Sequence, residues 1–195
     1  MAFNGSNVGE QFEVSANGRR VRFTRDVGGI VMDTNGVEQI DLNALGGADR
    51  LTVNDVTGTD LNALQTNLAA SQGGDDGAAD QVIVNGTGGN DVITPSGEGG
   101  KVSVTGLAAI LDITGANAAQ DQLAVNGVAG DDVINGSGLA ADAIQFRADG
   151  GDGADVITGG AGNDTLLGSA GDDFLNGGPG QDVLDGGTGN NVLIQ

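Results

Sequence analysis

The sequence predicts an all-β fold, a right-handed parallel β-solenoid with almost no helix, and three observations predict it. Five nonapeptides follow one another without insertion from Gly150: GGDGADVIT, GGAGNDTLL, GSAGDDFLN, GGPGQDVLD and GGTGNNVLI. Upstream of them, short aliphatic runs recur roughly every ten residues between turn-forming pairs, the signature of an all-β repeat. The composition agrees: 38 Gly, and 23 Asp against 4 Glu. Asp and Gly belong in turns, whereas an acidic helical protein would favour Glu. With 5 Phe and no Trp or Tyr, the core must be aliphatic.

Taken in order, residues 1–20 begin with Phe12 and Val14 alternating with polar neighbours, which predicts a first strand or a cap over the end of the core. Arg19, Arg20, Arg22 and Arg25 gather four of the seven bases. Val21 and Phe23 face one way, and Arg20, Arg22 and Thr24 the other. This is a solvated strand face or a docking patch for an acidic partner. Runs such as Ile30-Val31-Met32, Ile40-Asp41-Leu42, Val102-Ser103-Val104 and Ile110-Leu111-Asp112-Ile113 follow, punctuated by Asn35-Gly36, Gly46-Gly47, Asn85-Gly86 and Asn126-Gly127.

A longer echo runs through Asp49-Arg50-Leu51-Thr52-Val53-Asn54, Asp80-Gln81-Val82-Ile83-Val84-Asn85 and Asp121-Gln122-Leu123-Ala124-Val125-Asn126. In each case a further Asp follows, at Asp60, Asp91 and Asp132. These intervals accommodate about three ten-residue runs and predict a three-sided β-helix over residues 1–148, with an N-terminal cap and with the Asn residues in a ladder or capping turns. Residues 60–71 are ambiguous. Leu61, Leu64 and Leu68 follow helical spacing with Asp60 as an N-cap, while Leu64, Thr66 and Leu68 alternate as in a strand, which the solenoid context favours. Ser71–Ala79 is a polar loop in which Asp75 and Asp76 are solvated or bind a cation. Two isolated nonapeptide frames, Gly86–Thr94 and Gly127–Asn135, predict that the wider coils and the coils of residues 149–195 form one continuous solenoid.

Within each nonapeptide, Gly stands at positions one and four, Asp or Asn at six and an aliphatic at eight. The Gly-rich half is a tight turn. The last three residues make a short strand whose central side chain points inward. Two nonapeptides make an eighteen-residue, two-sided coil. Stacked coils sit about 4.8 Å apart, so Asp155, Asp173 and Asn191 share one edge while Asp164 and Asp182 share the other. Two carboxylates about 5 Å apart repel by about 3 kcal/mol at an effective dielectric near 20. Residues 148–195 contain no Lys or Arg to offset this. A divalent cation between turns would, and carboxylates with inward backbone carbonyls are the ligands of Ca²⁺.

These repeats resemble the RTX (haemolysin-type) nonapeptide, GGxGxDxUx. The resemblance implies a calcium β-roll with ions held between same-edge turns of adjacent coils. One site would join Gly151, Gly153 and Asp155 to Gly168, Ala170 and Asp173. A second would join Gly160, Gly162 and Asp164 to Gly177, Pro179 and Asp182. A third would join Ser169, Gly171 and Asp173 to Gly186, Thr188 and Asn191, where Asn191 supplies one charge fewer. Asp132, with Asp152 nearby, stacks beneath Asp155 as an additional ligand pair. The resemblance also implies a secreted, extracellular module of a bacterial protein, exported by a type I-like route and folding where calcium is abundant.

The net charge of −20 argues against nucleic acid and anionic membranes as partners. With no Cys and no His, disulfides, thiolate nucleophiles, imidazole bases and Cys/His zinc sites are excluded. No apolar run approaches a membrane span, and MAFNGSNVGEQF has neither the basic nor the apolar region of a classical signal peptide. The chain is expected to be a monomer or part of a longer chain. Parallel β-helices also host polysaccharide lyases and epimerases. Here Lys101 is the single Lys and no clustered Asp–Arg–Lys set is visible, so a non-enzyme is expected. Thr57-Gly58-Thr59 is an isolated Thr-x-Thr and makes no ice-binding face. A calcium-dependent module with a glycan or cell-surface partner stays open as the alternative.

Overall fold

A computed structural model describes all 195 residues as twenty strands with no helix. The chain passes back and forth between two sheets of eleven and nine strands. β1 (Ala2–Asn4) lies in the larger sheet and β2 (Gln11–Asn17) in the smaller. β3 (Arg20–Arg25) and β4 (Ile30–Thr34) fold back antiparallel and extend the smaller sheet beyond β2. β5 (Gln39–Leu45) then stacks in parallel on β1 and β6 (Arg50–Val53) on β2. β7 (Ala63–Ala70) stacks on β5 and β8 (Gln81–Asn85) on β6.

β9 (Val92–Glu98), β10 (Lys101–Thr105) and β11 (Ile110–Thr114) form an antiparallel meander in the larger sheet, with β11 parallel to β7. β12 (Gln122–Ala129) stacks on β8, while β13 (Val133–Asn135) and β14 (Gly138–Leu139) stack on β9. From there the alternation is regular. β15 (Gln145–Asp152), β17 (Thr165–Ala170) and β19 (Val183–Asp185) continue the smaller sheet. β16 (Val156–Thr158), β18 (Phe174–Asn176) and β20 (Val192–Ile194) continue the larger one.

This corrects the three-sided coil expected for residues 1–148. The coils there have two faces, and their extra length lies in the β2–β3–β4 and β9–β10–β11 excursions and, around β7, in the segments 54–62 and 71–80. The ten-residue spacing counted strands correctly, but spacing along a chain does not reveal strand direction. Ile30-Val31-Met32 and Val102-Ser103-Val104 are antiparallel neighbours within a sheet, not sides of a coil. Residues 63–70 are a strand, with Leu64, Thr66 and Leu68 buried on its inner face.

The core between the sheets is one aliphatic cluster that runs the length of the molecule. Ile157, Leu166 and Leu175 at position eight are fully buried, and Val156, Phe174 and Val183 point outward. Leu184 is only half-buried and Leu193 is 45% exposed, against the expectation that both sit in the core. They pair with Leu166 and Leu175 below, and no coil of this chain covers them from above.

The Asn ladder forms as expected on the smaller sheet. Asn126 Nδ2 donates to Asn85 at 2.7 Å, Asn85 to Asn54 at 2.8 Å, and Asn54 to Glu13 at 3.0 Å. The arginine patch is less free than its sequence suggests. Arg20 pairs with Asp33, and Arg25 pairs with the buried Glu10 while lying 5.7 Å over the Phe3 ring.

Candidate metal centre

Each position-six acid directly precedes a strand, so stacking the strands stacks the acids. Asp91, Asp132, Asp155, Asp173 and Asn191 form one column before strands of the larger sheet. From Asp132 onward, each side chain accepts a hydrogen bond from the backbone N–H of the acid one coil earlier. Asp91 N–H donates to Asp132 Oδ1 at 2.7 Å, Asp132 N–H to Asp155 at 2.8 Å, Asp155 N–H to Asp173 at 2.9 Å, and Asp173 N–H to Asn191 at 2.8 Å. On the other edge, Asp164 N–H donates to Asp182 Oδ1 at 2.9 Å. Asp60, aligned with Asp91 and Asp132 in the sequence echo, is exposed in a turn outside the column.

The second carboxylate oxygen separates two kinds of turn, and position two decides which. Where position two lies outside the left-handed region, its N–H reaches the carboxylate. Thr87 donates to Asp91 at 2.6 Å, Gly160 to Asp164 at 2.6 Å, and Ser6 to Glu10 at 2.7 Å. Where position two is left-handed, the carboxylate oxygen is buried without a partner. Val128 (φ 86°) accompanies Asp132, Gly151 (101°) Asp155, Ser169 (71°) Asp173, and Gly178 (86°) Asp182. A left-handed non-Gly residue is strained, so Val128 and Ser169 are held there by the surrounding coils. In these turns Oδ2 lacks the partner that a buried polar atom normally has.

Position one must be Gly for a related reason. A Cβ at Gly127 would press against Asp132 Oδ2 and lie 2.5 Å from the Gly150 carbonyl oxygen, and a Cβ at Gly168 would lie between Asp173 Oδ2 and the Gly186 oxygen. The orphaned carboxylate and the position-one carbonyl of the next coil therefore flank the same small space. The position-three carbonyls of Asp152, Ala170 and Thr188 are engaged by the N–H groups of Gly130, Gly153 and Gly171 at 2.8–2.9 Å. The Asp152 side chain itself is exposed, as is Pro179 at a turn tip.

The sites expected from the sequence consequently differ. The Asp155/Asp173 pair is open on both turns. So is Asp132/Asp155, which lies one coil further back. At Asp164/Asp182 only Asp182 is orphaned, because Gly160 N–H occupies Asp164. At Asp173/Asn191 the amide satisfies the position-one carbonyl itself: Asn191 Nδ2 donates to the Gly186 oxygen at 2.7 Å. Gly162 brings its carbonyl close to Gly180 in the coil above, so Gly180, like the position-one glycines, tolerates no Cβ.

Burial raises the carboxyl of Asp155 to about 6, with the Asp132 and Asp173 carboxylates adding to the shift. Burial also raises Asp132 and Asp164, again reinforced by neighbouring carboxylates. Orphaned, desolvated, mutually repelling carboxylates facing backbone carbonyls fit a hard divalent cation with oxygen ligands. Each site offers two carboxylates with carbonyls, not three carboxylates gathered at a point.

Parallel coils carrying such paired carboxylates between Gly turns define a calcium-binding β-roll. The comparison with known families agrees: residues 149–184 and 158–193 match the RTX calcium-binding nonapeptide repeat, in four copies. This C-terminal segment belongs to the RTX repeat family, and its cofactor is Ca²⁺. Repeats of this family are structural calcium-binding units. No curated protein and no solved structure matches the chain. No helix is long and apolar enough to cross a membrane.

Two predictions follow from this geometry. Gly150→Ala places a methyl against Asp155 Oδ2. It is expected to abolish ion binding at Asp155/Asp173 by steric blockade, read as one ion fewer by calorimetric titration. The second concerns pH in chelator. Asp155, near 6, and Asp49 and Asp80, each near 7, are raised above the ordinary value of 3.8. Between these values the folded chain holds more protons than the unfolded one, so stability is full below about pH 4 and falls as pH rises through 6–7. Thermal unfolding of the metal-free chain should therefore occur at a higher temperature at pH 5 than at pH 7.5. Saturating calcium should shrink the difference by competing with the protons.

Proposed function

We propose that the chain is a secreted, non-catalytic calcium-binding scaffold whose C-terminal coils fold and stay folded only where calcium is abundant. The observation that carries this reading is the row of buried, unpartnered carboxylate oxygens at Asp132, Asp155, Asp173 and Asp182, with no base in residues 148–195. Ions are assigned first to Asp155/Asp173 and Asp132/Asp155, then to Asp164/Asp182, and last to Asp173/Asn191. Residues 1–148 serve as a preformed base and residues 149–195 as the calcium-dependent extension. β15 supports their continuity by pairing with β12 before the boundary and β17 after it. The solenoid is read as right-handed, as parallel crossover connections overwhelmingly are.

Extracellular calcium modules bind with dissociation constants of about 10⁻⁴ to 10⁻³ M. Inside a cell such sites stay empty and repulsion keeps the coils loose. Outside, binding to the folded state alone stabilises it by mass action. Circular dichroism in chelator, followed by a calcium titration, tests this. The β-signal of the C-terminal coils should grow with calcium and only in part with sodium chloride, which screens charge but supplies no ligand geometry. A metal-free chain fully folded at low salt would overturn the reading.

One feature favours the alternative of a calcium-dependent glycan- or surface-binding module. A polar groove of about 610 Å³ lies along the outer face of the larger sheet, lined by Asp41, Asn43, Gln65, Asn67, Lys101 and Asp112 among others. Its amides, hydroxyls and carboxylates suit a hydroxylated ligand. A glycan array probed with and without chelator distinguishes the readings. The groove has Lys101 but no Arg, which weighs against a lyase.

A further inference from the structure

The turn from Ala44 to Asp49 lies in the N-terminal half, outside the nonapeptides, and lacks the position-one Gly. Its backbone nevertheless repeats that of the open calcium turns. Leu45 at position two is left-handed (φ 80°), as is Gly47 at position four (99°). Asp49 at position six is 4% exposed, and its Oδ2 is buried without a partner. Its Oδ1 accepts Glu10 N–H at 2.9 Å, and its own N–H donates to Asp80 Oδ1 at 2.8 Å. Asp49 thus stands in a second carboxylate column, Glu10–Asp49–Asp80–Asp121.

The column is neutralised at one end only. The chain supplies its own cation for Glu10 in Arg25. Nothing equivalent reaches Asp49, whose charged neighbours are the carboxylates of Asp80, Glu10 and Asp76.

A third carboxylate is built into this turn by a substitution of partners. At Gly130, Gly153 and Gly171 the position-four N–H donates to a backbone carbonyl of the next coil. Here Gly47 N–H donates to the side chain of Asp76, Oδ2, at 2.8 Å. Ala78 N–H donates to the other oxygen of Asp76 at 2.9 Å, and Asn7 Oδ1 and Asp76 Oδ2 both lie near Gly46. The three carboxylates are spaced along the edge and do not close on one point. Asp76 belongs to the Ser71–Ala79 loop.

We propose that Asp49, Asp76 and Asp80 form a divalent-cation site of the calcium class, separate from the RTX repeats, that ties the Ser71–Ala79 loop to the Ala44–Asp49 turn. An ion here does for Asp49 what Arg25 does for Glu10. Hard oxygen sites of this kind also accept Mn²⁺, which provides the probe.

The test is amide NMR of the full chain, titrated with Mn²⁺ against a calcium background. The expected result is selective broadening of Gly46, Gly47 and Gly77, reversed by excess Ca²⁺. Asp49→Asn and Asp76→Asn should each abolish it. Asn keeps the Oδ1 acceptor, and Asn191 already fills the equivalent role in this chain, so folding is preserved and a nearly unchanged amide spectrum would verify it. Gly153 and Gly171 should broaden alike in wild type and both variants. They report on the RTX sites alone, so a failure of the repeat reading appears there and not at Gly47. Sharp Gly46, Gly47 and Gly77 signals in wild type, or broadening that persists in Asp49→Asn, would overturn the proposal.

Discussion

Asp155→Ala is expected to raise the calcium concentration needed to fold the C-terminal coils more than any other carboxylate deletion in the repeats. From the sequence, Asp173 is the most informative acid, because it belongs to two proposed sites, with Asp155 below it and Asn191 above. The structure shifts the emphasis by one coil. Asp155 stands between Asp132 and Asp173, both charged and both with an unpartnered oxygen, whereas Asp173 has Asn191 above it. Removing Asp155 weakens two open sites. It also strips the acceptor from Asp132 N–H, and leaving a buried donor unpaired costs about 1–3 kcal/mol.

Asp155→Asn separates these effects. It keeps the acceptor and removes the charge, so it should need more calcium than wild type yet be more folded than wild type in chelator. Circular dichroism midpoints for Asp155→Ala, Asp155→Asn, Asp173→Ala, Asp164→Ala and Asp182→Ala provide the check. Asp173→Ala should rank second, and the two opposite-edge variants last. Equal midpoints across the set would mean that the acids are a solvated edge.

Leu175→Ala should destabilise the calcium-loaded chain by about 2–5 kcal/mol, the usual range for a fully buried Leu. Leu175 is completely buried between Ile157 below and Leu193 above, where neighbouring coils leave little room to collapse into the cavity. Leu193→Ala, the same chemical change at the same repeat position, should cost far less because Leu193 is already 45% exposed. Chemical denaturation in excess calcium measures both. Similar losses at the two positions would show that the terminal coil is covered in solution.

What the sequence determined by itself is whatever repeats at short range. The phase of Gly, Asp and aliphatic residues was enough to place the turns, the inward Ile157, Leu166 and Leu175, the two acid edges and the calcium chemistry. The repeated Asn54, Asn85 and Asn126 allow a ladder or turn caps, and the structure selects the ladder. These follow from local rules of turn conformation and strand alternation that each nonapeptide obeys on its own.

Only the tertiary structure decided the rest. β3, β4 and β10 turn back as hairpins on their immediate neighbours, and ten-residue spacing is the same for a hairpin as for a crossover to another face, so spacing alone reads them as a third face. Whether Val128, Ser169 or Leu45 is left-handed is set by the coils above and below, because no local preference puts these side chains there. That conformation decides which carboxylates are free. The sequence echo aligns Asp49 with Asp80, but only the fold brings Asp76 to the Ala44–Asp49 turn, through a hydrogen bond from Gly47 across 29 residues.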